Sequence, residues 1–96
     1  MIINFTSGAE EYFPSKKIIL TDSVIKENKL EKIKDVINYL YNQYPKCREK
    51  LFNSDLTLCP GMLCCLDDCD WELFGCEESL LNTNSQLLFL STIHGG

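Results

Sequence analysis

The chain is short of what a membrane-spanning, secreted or nucleic-acid-binding protein needs in quantity. Its longest unbroken apolar run is Met62-Leu63-Cys64-Cys65-Leu66, whereas a bilayer span takes roughly 20 residues, so no membrane crossing is expected. The opening MIINFTSGAEEYF has no basic residue and no long apolar stretch and already contains glutamates. It does not read as a secretory leader, and a cytoplasmic location is the expectation. Basic residues are outnumbered, nine against fourteen acids for a net charge of -5. Such a surface repels phosphate backbones, so direct binding of nucleic acid is not expected. Histidine occurs once, as His94. On a terminal tail it lacks the held geometry that general-base catalysis requires.

Cysteine is absent from the first 46 residues and then occurs six times, at 47, 59, 64, 65, 69 and 76. A disulfide framework would tie down both halves of so small a chain, so reduced thiols are the better reading. No CxxC pair exists for a structural zinc site. In an extended strand the adjacent Cys64 and Cys65 also point to opposite faces, so they cannot serve one metal together. Free cysteine usually packs as a small hydrophobe, which is the role expected here.

What is present suits one domain: 96 residues, 45% hydrophobic and 24% charged, outside the compositional range of disorder. MIINFT alternates as a half-buried strand does, with Ile3 and Phe5 on one side. Ser7-Gly8 supplies a turn, and Tyr12-Phe13 with Lys17 to Leu20 form a second extended stretch whose Pro14 confines it to an edge. Leu30, Ile33, Ile37, Leu40, Tyr41 and Tyr44 fall at helical spacing and predict a helix from about Lys29 to Tyr44, capped by Asn28 with Glu31 and stopped by Pro45. Met62 to Leu66, Trp71 to Phe74 and Leu87 to Leu90 predict three further strands. The order β-β-α-β-β-β specifies an α+β fold, a mixed sheet packed on one main helix. Its leading topology is the β-grasp, with first and last strands parallel in the middle. Residues 1–92 are expected to form this domain, with a flexible C-terminal tail at 93–96.

That tail, Ile93-His94-Gly95-Gly96, suits a particular chemistry. An ionised α-carboxylate resists nucleophiles, and transfer of an adenylyl group from ATP converts it to an acyl adenylate from which AMP departs. The terminus must then thread into another protein's nucleotide site. Glycine has no Cβ, so a partner's backbone can close around it.

The segment CPGMLCCLDDCDWELFG and the ending LLFLSTIHGG resemble the ubiquitin-related modifier family over residues 59 to 96. Before residue 59 the likeness is one of layout, and Thr21 to Asn28 has no counterpart that can be assigned. The resemblance implies a sulfur carrier and protein modifier that is itself no enzyme, binds no cofactor and is a monomer. An E1-like activating enzyme with a rhodanese domain would adenylate Gly96 using Mg-ATP, and a persulfide followed by reductive cleavage would leave a thiocarboxylate. The sulfur would pass, through a tRNA thiolase complex, to C2 of the wobble uridine in cytosolic tRNAs. Gly96 would also be conjugated to lysines of target proteins. Gly95, His94 and Ile93 would be read by the activating enzyme, with Leu88 and Leu90 as further contacts.

Two other readings stay open on the residues alone: an interaction module that undergoes no chemistry, and a small thiol or zinc protein using Cys59 to Cys76. Trp71 is expected to pack on the core or brace a hairpin. Asp67, Asp68, Asp70 and Glu72 lack the twelve-residue calcium loop and read as a solvated turn.

Overall fold

The computed structural model describes residues 1–92. The proposed tail, with Ile93, His94, Gly95 and Gly96, lies outside the described residues. Five strands form one sheet: β1 (Ile2–Thr6), β2 (Lys17–Ile19), β3 (Met62–Leu66), β4 (Cys69–Asp70) and β5 (Gln86–Ser91). Their spatial order is β2-β1-β5-β3-β4. β1 and β5 run parallel in register from Ile2 opposite Gln86 to Thr6 opposite Leu90, and the other pairings are antiparallel. This is the β-grasp arrangement. β2, with its preceding Pro14, lies at an edge as the proline predicts.

Alternation decides the two faces of the sheet. Ile3, Phe5, Met62, Cys64, Leu66, Leu87 and Phe89 point inward and are buried. Against them packs α2 (Ile33–Gln43), which buries Ile33, Val36, Ile37 and Leu40 at helical spacing. Aromatic rings run through the core. Phe5 stacks on Phe13 at 3.8 Å and lies 6.0 Å from Phe89, whose ring meets Phe52 edge-on at 5.2 Å. Phe13 in turn meets Tyr44 edge-on at 5.4 Å, joining the first hairpin to the end of α2.

The structure corrects three sequence expectations. The helix expected over Lys29 to Tyr44 is shorter, Ile33–Gln43, and a separate helix precedes it. α1 (Asp22–Glu27) fills the stretch that had no assignment, capped by Thr21, whose hydroxyl accepts the Val24 N–H at 3.3 Å. Asn28, read as the start of the main helix, instead ends α1. Lys29 turns left-handed at φ 52°, its N–H donates to Lys26 C=O and the Leu30 N–H donates to Ile25 C=O. This is a Schellman stop with lysine in the usual glycine position. α2 therefore begins three to four residues later than the periodicity implied, where Asp35 Oδ2 accepts the N–H groups of Glu31 and Lys32 at 3.0 and 2.9 Å.

Trp71-Glu72-Leu73-Phe74 is the second correction. Trp71–Leu73 is a 3-10 turn, started by Asp70, whose side chain accepts the Glu72 N–H at 2.9 Å. The fourth strand lies earlier and is only Cys69–Asp70, folded back on β3 by Asp67-Asp68 with φ of 49° and 67°. Both residues have the positive φ that a two-residue hairpin turn of type I′ demands. Trp71 is half-buried against the core, as expected. The third correction is Tyr12, which belongs to a 3-10 turn over Ala9–Tyr12 and not to an extended stretch.

Among the described residues no helix is long and apolar enough to cross a membrane. Because Phe89 is fully buried on the central strand and touches two other rings, Phe89→Ala should destabilise the fold by about 3–5 kcal/mol. Urea unfolding should show this as a lowered midpoint at unchanged m-value.

Candidate functional site: the open sheet face and the base of the C-terminal tail

The face of the sheet away from α2 carries the alternate residues of each strand. Leu88 of β5 lies opposite Asn4 and Cys65, and Leu90 lies opposite Thr6 and Leu63. On this face Leu63 is 48% exposed and Ile19, across from Ile2, is 66% exposed. Leu88, Leu90, Ile2 and Cys65 are half-buried. The result is an apolar surface across β2, β1, β5 and β3, broken by Asn4 and flanked by Lys17 and Asp70. Leu88 and Leu90, expected as partner contacts, sit at its centre. Leu63 and Ile19 were not singled out from the sequence, although the alternation of Met62 to Leu66 already turns Leu63 away from the core.

The same strand leads to the tail. β5 is flanked along its whole length, and both flanks end in glycine turns. On one side, Cys59-Pro60-Gly61-Met62 forms a type II turn: Gly61 has φ 88° and the Met62 N–H donates to Cys59 C=O at 3.1 Å. On the other, Ser7-Gly8 leaves β1 with Gly8 at φ 102°, its N–H bonded to Glu10 Oε1 at 2.6 Å. A methyl on Gly8 would meet Ser91 Cβ at an ordinary 3.9 Å, so glycine is required there by the backbone angle and not by crowding. Beyond Ser91, Thr92 donates to the Gly61 carbonyl twice, from its N–H at 2.7 Å and from Oγ1 at 2.8 Å. No sequence signal joins these residues, which are 31 positions apart.

The thiols are arranged for packing. Cys47, Cys59 and Cys64 are buried, Cys65 and Cys76 half-buried, and Cys69 exposed, all of them free. Burial pushes the Cys47 thiol up to about 11 and raises Cys64 further still. Burial, then the neighbouring carboxylates of Asp70, Asp68, Glu72 and Glu77, raise Cys65 and Cys76. A nucleophilic or metal-binding cysteine needs the opposite, a depressed pKa in an electropositive setting. Cys64 faces the core and Cys65 the open face, so they cannot share an ion, as the sequence implied.

Charge is divided along the chain. None of the nine basic residues lies beyond residue 50, whereas seven of the fourteen acids do. The turns and connections around β3, β4 and β5, with Asp70 on β4, therefore carry acids without lysine or arginine. Among the described residues only Glu78 is drawn into ion pairs there, with Lys32 at 2.7 Å and Lys34 at 3.0 Å, which ties the segment before β5 to α2. That segment is also held by backbone bonds, Ile33 N–H to Ser79 C=O and Leu81 N–H to Glu31 C=O.

The sequence matches the family described as Urm1 (Ubiquitin related modifier) along residues 1–96. The chain belongs to that family. A ubiquitin-related modifier 1 homolog of Dictyostelium discoideum is 36% identical over 94 residues, spanning 98% of this chain and 96% of the relative. One from Chlamydomonas reinhardtii is 33% identical, spanning 98% and 95%. The solution structure of Urm1 from Trypanosoma brucei superposes with a TM-score of 0.79 at 28% identity, covering 99% of this chain and 93% of that one. The likeness therefore extends through the first 58 residues, where the sequence alone had shown only a shared layout. Urm1 membership places the chain among ubiquitin-like modifiers and sulfur carriers, which act as carriers and not as catalysts.

The raised thiols fix the sign of an alkaline effect. A group whose pKa is higher in the folded protein stabilises it fully below the unfolded value and loses that stabilisation as pH climbs through the folded one. Unfolded thiols ionise near 9.0 and Cys47 near 11. The urea midpoint should therefore fall between pH 9 and about 11, and fall less steeply in Cys47→Ala.

Proposed function

We propose that the chain is a sulfur carrier thiocarboxylated at Gly96, donating sulfur for 2-thiolation of the wobble uridine of cytosolic tRNAs, and a modifier conjugated through Gly96 to lysines of target proteins. The observation that carries this reading is membership of the Urm1 family over residues 1–96. An activating enzyme would adenylate the Gly96 carboxylate with Mg-ATP, releasing pyrophosphate. A persulfide, supplied by a rhodanese domain, would displace AMP to give an acyl disulfide, and a thiol would then cleave its S–S bond, leaving the thiocarboxylate and a new disulfide on the enzyme. None of these steps needs a base or nucleophile from the β-grasp body. That suits a body in which burial raises the thiols of Cys47, Cys64 and Cys65 away from the nucleophilic range.

The open face supports a part for the body in recognition. Leu63, Leu88 and Leu90 would dock on the activating enzyme, and Ile93, His94 and Gly95 would be read along its channel. The base-free second half of the chain favours a partner surface of positive charge. The same charge keeps the carrier off tRNA, leaving that contact to a separate thiolase complex in the cytoplasm, and the carrier works as a monomer. Among the surface lysines, Lys32 is a poor acceptor for a modifier chain, since its hydrogen bond to Glu78 raises its pKa and holds it charged.

Incubation with the activating enzyme, Mg-ATP and a sulfur donor, followed by intact-mass measurement, tests the central claim. The expected product is heavier by one sulfur minus one oxygen, and deletion of Gly96 should abolish it. An unchanged mass, with no adenylate formed, sinks the carrier reading. Leu63→Asp places a charge on an exposed position of the open face, so it should leave the circular dichroism spectrum unchanged while lowering kcat/KM for adenylation by about tenfold or more, the loss of one apolar interface anchor.

A further inference from the structure

We propose that Thr92, with the turns at Gly61 and Gly8, forms a collar that fixes where and in which direction the C-terminal residues leave the sheet, making Thr92 a positioning residue for activation at Gly96. The proposal rests on the reading of Gly96 given above.

The geometry sets this point apart from an ordinary strand end. β5 pairs with β3 as far as Met62 opposite Ser91, and with β1 as far as Thr6 opposite Leu90. A strand could fray from there. Instead the Thr92 N–H adds one more rung, at 2.7 Å to the Gly61 carbonyl. Its hydroxyl then closes on the same oxygen at 2.8 Å. Both donors come from one residue and converge on one acceptor, so the backbone and χ1 of Thr92 are held together. A β-branched side chain with one strongly restricted χ1 is well suited to this. The acceptor is itself fixed, because Gly61 occupies the left-handed corner of the type II turn that starts β3. Opposite, the Gly8 turn lies beside the end of β5, where a Cβ added to Gly8 would come within 3.9 Å of Ser91 Cβ.

Four residues follow Thr92, and a chain of four spans at most about 14 Å when fully extended. The point at which the chain leaves the sheet therefore bounds the region that the Gly96 carboxylate can reach to that radius. A held origin also leaves fewer residues to be ordered when a partner encloses the terminus, which is how preorganisation raises affinity. The hydroxyl bond is solvent-exposed and lies at the rim of the sheet, so it matters little to the body and much to the tail.

Thr92→Val keeps size, branching and the backbone rung while deleting the hydroxyl bond. Thr92→Ser keeps the hydroxyl. In steady-state adenylation by the activating enzyme, followed as pyrophosphate release, Thr92→Val should raise KM about three- to tenfold, the fold-change expected for one lost hydrogen bond, with kcat unchanged. Thr92→Ser should restore most of the loss. The urea midpoint of both variants should match the wild type. Amide hydrogen exchange, which needs no enzyme, should find the Thr92 N–H protected in the wild type and less so in Thr92→Val.

The proposal is overturned if Thr92→Val keeps the wild-type KM, if Thr92→Ser is equally impaired, or if the KM change tracks a lowered midpoint. An unprotected Thr92 amide in the wild type overturns the collar itself. A wild-type protein that is never adenylated overturns the Gly96 reading and the kinetic role with it, while the exchange measurement still judges the collar.

Discussion

The parallel pairing of β1 with β5 is the constraint on which the rest of the molecule depends. It sets the first and last strands side by side and makes the last strand an interior one, flanked by β1 and β3. Closing so long a loop is entropically affordable, since each doubling of length adds only about 0.6 kcal/mol. The inward residues of the two strands, Ile3, Phe5, Leu87 and Phe89, are all essentially buried, and each such side chain contributes about 1.5–3 kcal/mol on leaving water. Few other places in the chain concentrate so much apolar area on so few residues.

From that pairing follows the division of labour between the two faces. With α2 and the 45–59 loop covering the inner face, the outer face is left with Leu63, Leu88, Leu90 and Ile19. The terminus then springs from the best-held strand of the sheet. An edge strand would have one neighbour; β5 has two, and the Gly61 turn carries that support to Thr92. A rigid origin and an apolar docking face next to it are what a small carrier needs to present its terminus to an enzyme.

The cysteines look like the chemical feature of the composition and turn out to be part of the packing. Cys47 and Cys64 fill the core, and burial, helped by the neighbouring carboxylates, raises the thiols of Cys65 and Cys76. The sulfur that the proposed function requires is one the protein receives. Burial first, and nearby carboxylates second, raise the thiols of Cys59, Cys64, Cys65 and Cys76 away from that chemistry, and burial does the same for Cys47.

The alternation of MIINFT and Met62 to Leu66, the helical spacing of Ile33, Ile37 and Leu40, and the Pro-Gly turn were legible in the sequence because each is a local periodicity that a nascent chain already carries. They were enough to specify the β-grasp and to direct attention to the C-terminal residues. What local pattern misjudged were boundaries decided by competition. Asn28 suits the start of one helix and the end of another, and the left-handed Lys29 settles it only because Leu30 N–H finds Ile25 C=O. Trp71 to Leu73 has the composition of a strand, but the Asp70 cap and the tight Asp67-Asp68 turn end β4 before it. The union of Thr92 with Gly61 left no trace in sequence at all. Such contacts exist only once β1, β5 and β3 lie in register, because hydrogen bonds between residues far apart in the chain depend on where the fold brings their backbones, and no spacing rule encodes that.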